Sequence, residues 1–480
     1  MKKIFLLIFL SIALSNAQQY EIYDMNGRNH GSFNSTLDKS TLAKLAKEYR
    51  GSVLVKKRTI HSAKSIKNLN LAQILQIQKT LHFSQDSLGH DSWLEIEKNE
   101  TAKICLDNRV LAWETSLNSS IVNDSCLAIQ APTLIGVDSL KVYFPDAEVS
   151  HKINLAIGMK YLNFENEEVL LGFNKYSKEW VKSSDDFKNE DPERLVKISG
   201  QYLVDKYPVT NCEFTQLMWD SIPATSSYQN KSIREDYYET WLSRKRAGVR
   251  YENCTTHDTA ANMVTLFEAM EYANVRSIRD GLRPYYSLTP TDADKESILS
   301  KGQYIISYTD FTIHKKNFIL VVTDNTSDGY RLPYYEEWMM LARGGDKKNT
   351  APWGDSSGAF EKTLEYARFS TENYSYETEP VGQLKPNGYG LYDMFGLVQE
   401  HVLFKYALFD GNIGFSSCLK GGNYHVVLKE SDFSLTEHPY WKWINYGYYE
   451  PGYPGYGAGF RLIRNIGNNA KWTEVKSDKE

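Results

Sequence analysis

The sequence predicts an α+β protein in which a small N-terminal accessory α+β region precedes a larger, loop-rich region. Three observations support this class. Capping residues precede apolar helical stripes at several places, and short apolar runs bounded by Asn, Asp and Ser are typical of strands. Beyond residue 350, Gly, Asn, Pro and Tyr are so frequent that we do not expect long regular elements. A chain of 480 residues is long enough for two or three domains.

The overall composition excludes some function classes and leaves others open. The chain carries 55 basic and 60 acidic residues, a net charge of −5, and no long basic run. Nothing therefore favours nucleic acid or an anionic membrane as partner. Aromatic residues make up 13% of the chain, including 33 Tyr. This abundance suits a loop-rich core, and equally a surface that binds carbohydrate.

Residues 1–17 are predicted to be a Sec-type signal peptide. Lys2 and Lys3 precede an apolar run over residues 4–14, and Ala17 ends a small-residue cleavage site. No later segment has the length of a transmembrane helix, so we expect no membrane span. No cysteine stands directly after the predicted cleavage site at Ala17, which argues against a lipid anchor on a processed N-terminal cysteine. We therefore expect an exported protein, periplasmic or extracellular.

Export places five cysteines in an oxidising compartment: Cys105, Cys126, Cys212, Cys254 and Cys418. Because five is odd, they cannot all pair within one chain. We prefer a bridge between Cys105 and Cys126, since both lie in the accessory region. Separate buried thiols remain the alternative.

The accessory region is predicted over residues 18–148. The cap, apolar spacing and terminating glycine of residues 40–51 predict a short helix, and residues 71–81 suggest a second. Residues 103–113 and 139–144 predict strands. No catalytic motif stands out here.

The main region is predicted over residues 149–466, followed by a polar tail over 467–480. It opens with an expected hairpin in residues 153–173. Two helices are predicted next, because Thr210 with Glu213 and Thr265 with Glu268 have the spacing of capping boxes. Residues 303–323 predict a second hairpin. A third helix should begin near Pro333 and end at the glycines after Arg343.

The most informative stretch is residues 386–402, which we call the signature loop; from Asn387 it reads N-G-Y-G-L-Y-D-M-F-G-L-V-Q-E-H-V. Its glycines allow tight turns, whereas its apolar residues are unsuited to a solvated loop. We therefore expect a buried loop in which Asp393 and Glu400 are engaged by partners.

The signature loop resembles the motif N-G-Y-G-L-Y-D-M-x-G-N-V-W-E-W of the formylglycine-generating enzyme (sulfatase-modifying factor) family. Other segments match the family's motifs in the same order, over about residues 150–466: Y-P-V-T-N at 207–211, Y-R-L-P at 330–333, A-R-G-G at 342–345, P-W-G-D at 352–355, P-V-G at 380–382, G-G-N at 421–423 and G-F-R at 459–461. The resemblance implies a loop-rich fold of the C-type-lectin-like kind.

The resemblance also implies a copper-dependent oxidation, but this sequence lacks the cysteines that the reaction requires. Family enzymes oxidise a sulfatase cysteine with molecular oxygen, using two cysteines that hold copper(I), a soft ion that requires thiolates. Val426 stands at the first of these positions, and no cysteine follows Cys418. We therefore do not expect copper or the oxidase activity.

A family calcium site is expected to be weakened. Glu400 keeps one oxygen ligand, but Leu397 replaces the Asn that the motif carries, and Arg368 lies where a second calcium loop would begin. Calcium at Glu400 stays a possible cofactor.

The remaining polar and aromatic residues divide into two groups. Structural roles are expected for Arg331 and Glu337 as a buried pair, Asp393 as a cap within its own turn, and Arg461 as a core contact. Candidates for the ligand cleft are Asn423, His425, His401, Trp441, Trp443 and Tyr389. An alternative interpretation is that His401 and His425 with Glu400 make a metal site of the zinc or iron type, whereas lone histidines are more often core or surface residues.

Our interpretation is an exported, non-catalytic member of this family that binds or scaffolds a protein or glycan partner at the cell envelope. The resemblance permits this, because some family members without the cysteines are envelope components of secretion or motility machinery. One alternative is an oxygen-dependent oxidoreductase with altered metal chemistry. Another is a carbohydrate-binding module that uses the aromatic loops.

Overall fold

The computed structural model describes residues 17–23, 29–33, 54–62, 79–83, 93–107, 110–144, 151–171, 194–221, 258–262, 264–291, 304–310, 315–345, 360–369, 378–407, 413–422 and 457–475. Among these residues, no helix has both the length and the apolar character needed to cross a membrane.

The described part of the accessory region consists of two sheets. Seven strands pair in the order β2-β1-β3-β7-β10-β11-β5, and four pair in the order β4-β6-β9-β8. The strands are β1 Ala17–Tyr23, β2 Asn29–Phe33, β3 Leu54–Ser62, β4 Lys79–Phe83, β5 Trp93–Ile96, β6 Thr101–Leu106, β7 Ala112–Thr115, β8 Asn118–Asn123, β9 Cys126–Gln130, β10 Gly136–Tyr143 and β11 His151–Ile157. Alternating apolar residues of both sheets form one core around Trp113, Leu127, Ile129 and Leu140.

The strand predictions for this region are confirmed in part. The predicted segment 103–113 falls on two strands, β6 and β7, and the segment 139–144 falls on β10, which begins earlier, at Gly136. The helix expected over residues 71–81 is wrong at its end, because β4 begins at Lys79 and pairs with β6. There, strand pairing overrides the local helical pattern. The rest of that segment and the helix expected at 40–51 lie outside the described residues.

The sulfur atoms of Cys105 and Cys126 form a disulfide between the adjacent strands β6 and β9. Cys212 is disulfide-bonded as well.

The hairpin expected in residues 153–173 is wrong. Strand β11 pairs with β10 in the accessory sheet, whereas the next strand, β12 (Met159–Leu171), pairs with β13 (Arg194–Asp205) in a different sheet. The chain changes sheets at Gly158, whose φ of +63° suits a glycine. The predicted boundary near residue 148 lies outside the described residues.

The first two predicted helices are present with their capping boxes. Helix α1 spans Asn211–Ser221, and the amide of Glu213 donates to Thr210 Oγ1 while the Glu213 carboxylate accepts from the Thr210 amide. Helix α2 spans Leu266–Arg279 and has the same reciprocal bonds between Thr265 and Glu268. Each box satisfies amide groups that a helix start leaves without partners.

The third predicted helix, α3 (Tyr335–Arg343), ends at Gly344 in the left-handed conformation, as the sequence predicts. The second predicted hairpin is also confirmed: β15 (Tyr304–Asp310) pairs antiparallel with β16 (Lys315–Thr323), and β14 (Tyr286–Thr291) completes that sheet. The remaining elements are β17 Tyr330–Arg331, α4 Phe360–Leu364, β18 Gln399–Ala407, β19 Ile413–Lys420, β20 Ala458–Gly459 and β21 Ile463–Val475.

The expectation that long regular elements are absent beyond residue 350 is wrong for the last strand. Strand β21 has 13 residues and pairs with β13 in the sheet ordered β12-β13-β21-β17. It continues to Val475, opposite Leu195, so this sheet extends into the predicted tail over 467–480. Backbone pairing with β13 holds a segment whose local composition is polar.

The accessory region contacts the two main helices through its own backbone. The amide of Ile135 donates to Glu213 Oε1 at 3.1 Å, and the amide of Val137 donates to Asp280 Oδ2 at 3.1 Å. The Arg279 guanidinium donates in turn to the Ile135 carbonyl. A Cβ at Gly136 would lie 2.2 Å from that guanidinium, so the Arg279 side chain would have to move to admit one. The cap of α1 and the end of α2 thus bind one short segment.

Candidate functional site: the signature loop

The signature loop is buried, as the sequence predicts. Leu391, Met394 and Phe395 pack with residues of α3 and β13, whereas Leu397 and Val398 pack against Ala260. All five loop side chains are at most 2% exposed. Burial of five such side chains stabilises the loop by roughly 2 kcal/mol each. The loop is therefore a fixed part of the core.

Asn387 organises the turn that opens the loop. Its Oδ1 accepts from the amides of Tyr389 and Leu391 at 3.0 and 3.1 Å, and its Nδ2 donates to the Leu341 carbonyl at 2.7 Å. That carbonyl lies in the last turn of α3, where it also accepts from the Gly344 amide at 3.3 Å. One amide side chain therefore shapes the turn and caps the helix.

Gly396 lets the loop pass against two other segments. Its amide donates to the Gly421 carbonyl at 2.7 Å, and the next amide, of Leu397, donates to the Arg368 carbonyl at 2.7 Å. The φ of Gly396 is +70°, and a Cβ there would lie 2.2 Å from the Arg368 carbonyl oxygen. Only glycine fits this crossing.

Asp393 is structural, but the expected cap within its own turn is wrong. Its Oδ2 accepts from the amide of Gly382 at 2.6 Å, so it joins the signature loop to the P-V-G segment. The residue itself has a φ of +55°, a backbone conformation that residues other than glycine seldom adopt. Burial raises the pKa of this carboxyl to about 6, against the opposing effects of the Gly382 amide and Arg461.

Glu400 and Arg461 form a fully buried ion pair at the end of the loop. The Arg461 Nη2 lies 2.7 Å from Glu400 Oε1, and both side chains are at most 1% exposed. The indole of Trp338 donates to Glu400 Oε2 at 2.7 Å. Arg461 also donates to the carbonyls of Asp205, Lys206 and Tyr392. The core contact expected for Arg461 is therefore present, and it joins three segments.

The carboxylate that was expected to bind calcium already has partners in the protein, and calcium at Glu400 stays a prediction. Both carboxylate oxygens accept from Arg461 or Trp338, so a cation at Glu400 would lie against a guanidinium. Hard cations need several oxygen ligands together. Within the described residues there is no group of three His, Cys, Asp or Glu side chains that could hold a metal.

The expected pair of Arg331 and Glu337 is confirmed. Two bonds of 2.7 Å join the guanidinium to the carboxylate, and both side chains are 3% exposed. Glu337 also accepts from the amide of Tyr334 at the start of α3. The pair ties β17 to the cap of this helix, which is a structural role.

His401 is a core residue, and its expected place in a cleft is wrong. It is 2% exposed, and its Nε2 donates to the Val264 carbonyl at 2.7 Å. It stands on β18, opposite Leu419 of β19. Burial lowers its pKa to about 4, so the ring is neutral at pH 7.

We expect His401 to make the stability of the protein depend on pH. An unfolded histidine has a pKa of about 6.5, so between about pH 6.5 and 4 only the unfolded state takes up the proton. Its contribution to the free energy of unfolding is complete above pH 6.5 and falls by roughly 3 kcal/mol as the pH drops to 4. Urea denaturation of the protein and of His401→Gln, which keeps a donor for Val264, should show a difference that grows from pH 4 to 7.

Comparing the two proteins removes the contribution of other groups. Asp393 acts in the opposite sense, since its raised pKa favours the folded state at lower pH, and this effect cancels in the difference. A difference that does not change with pH would contradict the buried, neutral state of His401.

The other cleft candidates divide by location. Tyr389 is half-buried and contacts Phe164 edge-on at 5.7 Å between ring centres, and a Cβ at Gly345 would meet its ring. It therefore packs against the core at the loop's rim. Asn423, His425, Val426, Trp441 and Trp443 lie outside the described residues.

The structure also shows contacts that the sequence did not predict. The Tyr392 ring of the loop stacks on Tyr207 at 5.0 Å, and buried Arg276 of α2 binds Asp205 with bonds of 2.7 and 2.8 Å. The arginine lies over the Tyr330 ring at 4.1 Å. A charged residue within the apolar face of a predicted helix was the available signal for this pair.

Comparison with known proteins identifies the family. The profile described as "Sulfatase-modifying factor enzyme 1-like domain" matches residues 166–466. Chaperone protein LppX of Paenibacillus barcinonensis is 35% identical over 196 residues, which cover 36% of this chain and 65% of that protein. Inactive C-alpha-formylglycine-generating enzyme 2 of Bos taurus is 37% identical over 87 residues, 17% of this chain and 29% of that protein. The chain thus spans less than two thirds of these relatives' lengths.

Among solved structures, Treponema denticola variable protein 1 aligns with 69% of this chain and 99% of its own length. The identity is 21% and the TM-score is 0.39.

Proposed function

Since this chain belongs to the sulfatase-modifying factor family, we propose that it is an exported, non-catalytic member that binds or scaffolds a protein partner at the cell envelope. The observation that carries the proposal is the sequence from residue 419 to 480, which contains no cysteine. Val426 stands where the family motif places the first thiol. The residues present do not fit a copper(I) ion, because that ion requires thiolate ligands.

The geometry of the signature loop supports a binding role. Its acidic residues are engaged by the protein itself: Asp393 by the Gly382 amide, and Glu400 by Arg461 and Trp338. Its histidine is bonded to the Val264 carbonyl. Because these side chains are bonded within the protein, the loop is held rigid. A rigid loop loses little conformational entropy when a partner binds to its surface.

Two further observations support export and a protein partner. Residues 1–17 have the charged start, apolar run and small-residue end of a signal peptide. The relative named LppX is called a chaperone, a class of protein that binds other proteins, and it is 35% identical over the matched residues.

Metal content and oxygen consumption test the non-catalytic part of the proposal. The exported protein is purified after growth with copper, iron, zinc and calcium, and is analysed by elemental mass spectrometry. We expect no copper or iron in stoichiometric amount, and no oxygen consumption above background with a cysteine-containing peptide. Stoichiometric copper or iron together with oxygen consumption would overturn the proposal in favour of an altered oxidoreductase.

Photo-crosslinking tests the partner. A photoreactive residue is placed at Gln383, an exposed position next to Gly382, whose amide binds Asp393 of the loop. The matched control carries the same photoreactive residue at Leu111 of the accessory region, which is 46% exposed. We expect a discrete protein adduct in intact cells from position 383 alone. No adduct at 383, or the same adducts from both positions, would contradict a partner at this surface.

A further inference from the structure

Asp393 of the signature loop is a buried carboxylate that has no ionic partner among the residues that the structure describes. It is 4% exposed, and its Oδ2 accepts from the Gly382 amide at 2.6 Å. Glu400, the other acidic residue of the loop, is instead paired with Arg461. A buried carboxylate without a counter-ion is costly to keep in its charged form.

Charged and titratable groups surround this carboxyl, but burial outweighs them. Burial raises the pKa of Asp393 to about 6 against the hydrogen-bonded amide; Arg461 also opposes the increase, Glu400 adds to it, and Arg368 opposes it. Arg461 is already bonded to Glu400. Arg368 is 39% exposed, so solvent screens its charge. Tyr207 stays neutral, because burial raises its own pKa.

Residues 382–384, which we call the covering turn, meet this carboxyl at their first residue. The turn is exposed at Gln383 and half-buried on both sides of it. The backbone of Gly382 packs against the Tyr207 ring, since a Cβ there would lie 2.5 Å from a ring carbon. Within the described residues, the bond to Asp393 is the only hydrogen bond that joins the covering turn to a distant segment. The turn is therefore anchored at one point, by an acceptor that can take up a proton.

The chain is fixed on both sides of the covering turn. The amide of Val381 donates to the Asp258 carbonyl at 3.2 Å, and the amide of Lys385 donates to the Glu365 carbonyl at 2.9 Å. Movement of the turn between these two points takes the donor away from the carboxyl and admits water to it. Such an opening is local and leaves the rest of the signature loop in place.

We propose that the covering turn is a proton-dependent cover of Asp393, which stays closed when the carboxyl is neutral and opens more readily when it is charged. The neutral carboxyl keeps a carbonyl oxygen that accepts from the Gly382 amide, so closure does not need the charge. The charged form gains from hydration, which the open turn provides. The cover is independent of any partner, so it and the function proposed above can fail separately.

The direction of the effect follows from the proton affinity of the two states. A hydrated aspartate has a pKa of about 3.9, whereas the pKa of Asp393 under the closed turn is about 6. The closed state therefore holds the proton more tightly. Closure is favoured most below about pH 4 and weakens as the pH rises through 6. Between pH 4 and 7 the ratio of open to closed turn should increase roughly 50-fold.

Hydrogen exchange followed by mass spectrometry tests the cover in the full-length exported protein, over a range of about pH 4 to 8. The exchange rates are corrected for intrinsic amide exchange, which itself becomes faster with pH. We expect the protection of the Gly382 amide to fall by roughly 50-fold from pH 4 to 7 and then to level off.

The Asp393→Asn variant separates this carboxyl from all other titrating groups. Its side chain is neutral at every pH, and Asn tolerates the left-handed backbone conformation of this residue. Its covering turn should be as protected as that of the unchanged protein at low pH, with no change as the pH rises. The matched control is Glu365→Gln, which removes an exposed carboxylate that pairs with Lys385 just beyond the turn, and it should keep the full pH dependence.

Three results would overturn the proposal. Protection of the covering turn in the unchanged protein could be constant with pH or increase with it, and this result needs no variant. A folded Asp393→Asn variant could keep the pH dependence. Protection could also fall equally in the peptides of α2, which would indicate unfolding of the whole protein instead of a local cover. A fall confined to the covering turn and absent from Asp393→Asn supports the proposal.

Discussion

Arg461→Met is expected to lower the free energy of unfolding by about 4 kcal/mol, because it removes one partner of a fully buried ion pair. Glu400 would keep the Trp338 indole but lose its counter-ion. Three carbonyl groups would lose the guanidinium as donor, although that of Lys206 keeps the Tyr392 amide. Urea denaturation followed by tryptophan fluorescence measures the loss.

Two variants show that burial causes this effect. Arg283→Met removes an arginine whose pair with Asp328 is 56% and 50% exposed, so we expect a change of about 0.5 kcal/mol. Adding Glu400→Gln to Arg461→Met should recover part of the loss, because a neutral amide is less costly to bury than an unpaired carboxylate. If Arg461→Met and Arg283→Met cost the same, the pair does not support the fold as we describe.

Gly396→Ala is expected to be about as damaging, with a loss of about 4 kcal/mol in the free energy of unfolding. The methyl group would meet the backbone of residue 368 at 2.2 Å from the carbonyl oxygen and 2.6 Å from the nitrogen, and backbone cannot rotate away as a side chain can. The positive φ adds about 1 kcal/mol of strain.

Gly467→Ala is the matched control for this clash. Gly467 has nearly the same φ, +69°, but nothing lies within 4 Å of the Cβ position. It should therefore cost only the strain, about 1 kcal/mol. The difference between the two variants in denaturation experiments isolates the contribution of close packing, and equal losses would show that the crossing of the loop with residue 368 is looser than described.

The sequence predicted the parts of the site that depend on neighbours along the chain. Asn387 to Gly390 indicated a tight turn, and Arg331 with Glu337, six residues apart, indicated a buried pair. It failed where partners come from distant segments. Asp393 was assigned to its own turn but binds Gly382, and His401 was placed in a cleft but bonds to Val264, 137 residues away.

The same division holds for the fold. Helix starts were predictable because a capping box is complete within four residues, as at Thr210 and Thr265. Strand pairing was not, because any strand can pair with many others and the choice depends on which faces become buried together. The residues around Gly158 therefore resembled a hairpin, whereas the structure divides them between two sheets.

By itself, the sequence determined the family, the capped helices, the buried signature loop and the missing thiols. Each of these features depends on residues that are adjacent in the chain or that stand at the spacing of a family motif. Only the tertiary structure decided that Glu400 pairs with Arg461 and that Asp393 accepts from the Gly382 amide. The physical reason is that burial and electrostatic partners depend on distances in space, which contacts between remote segments set.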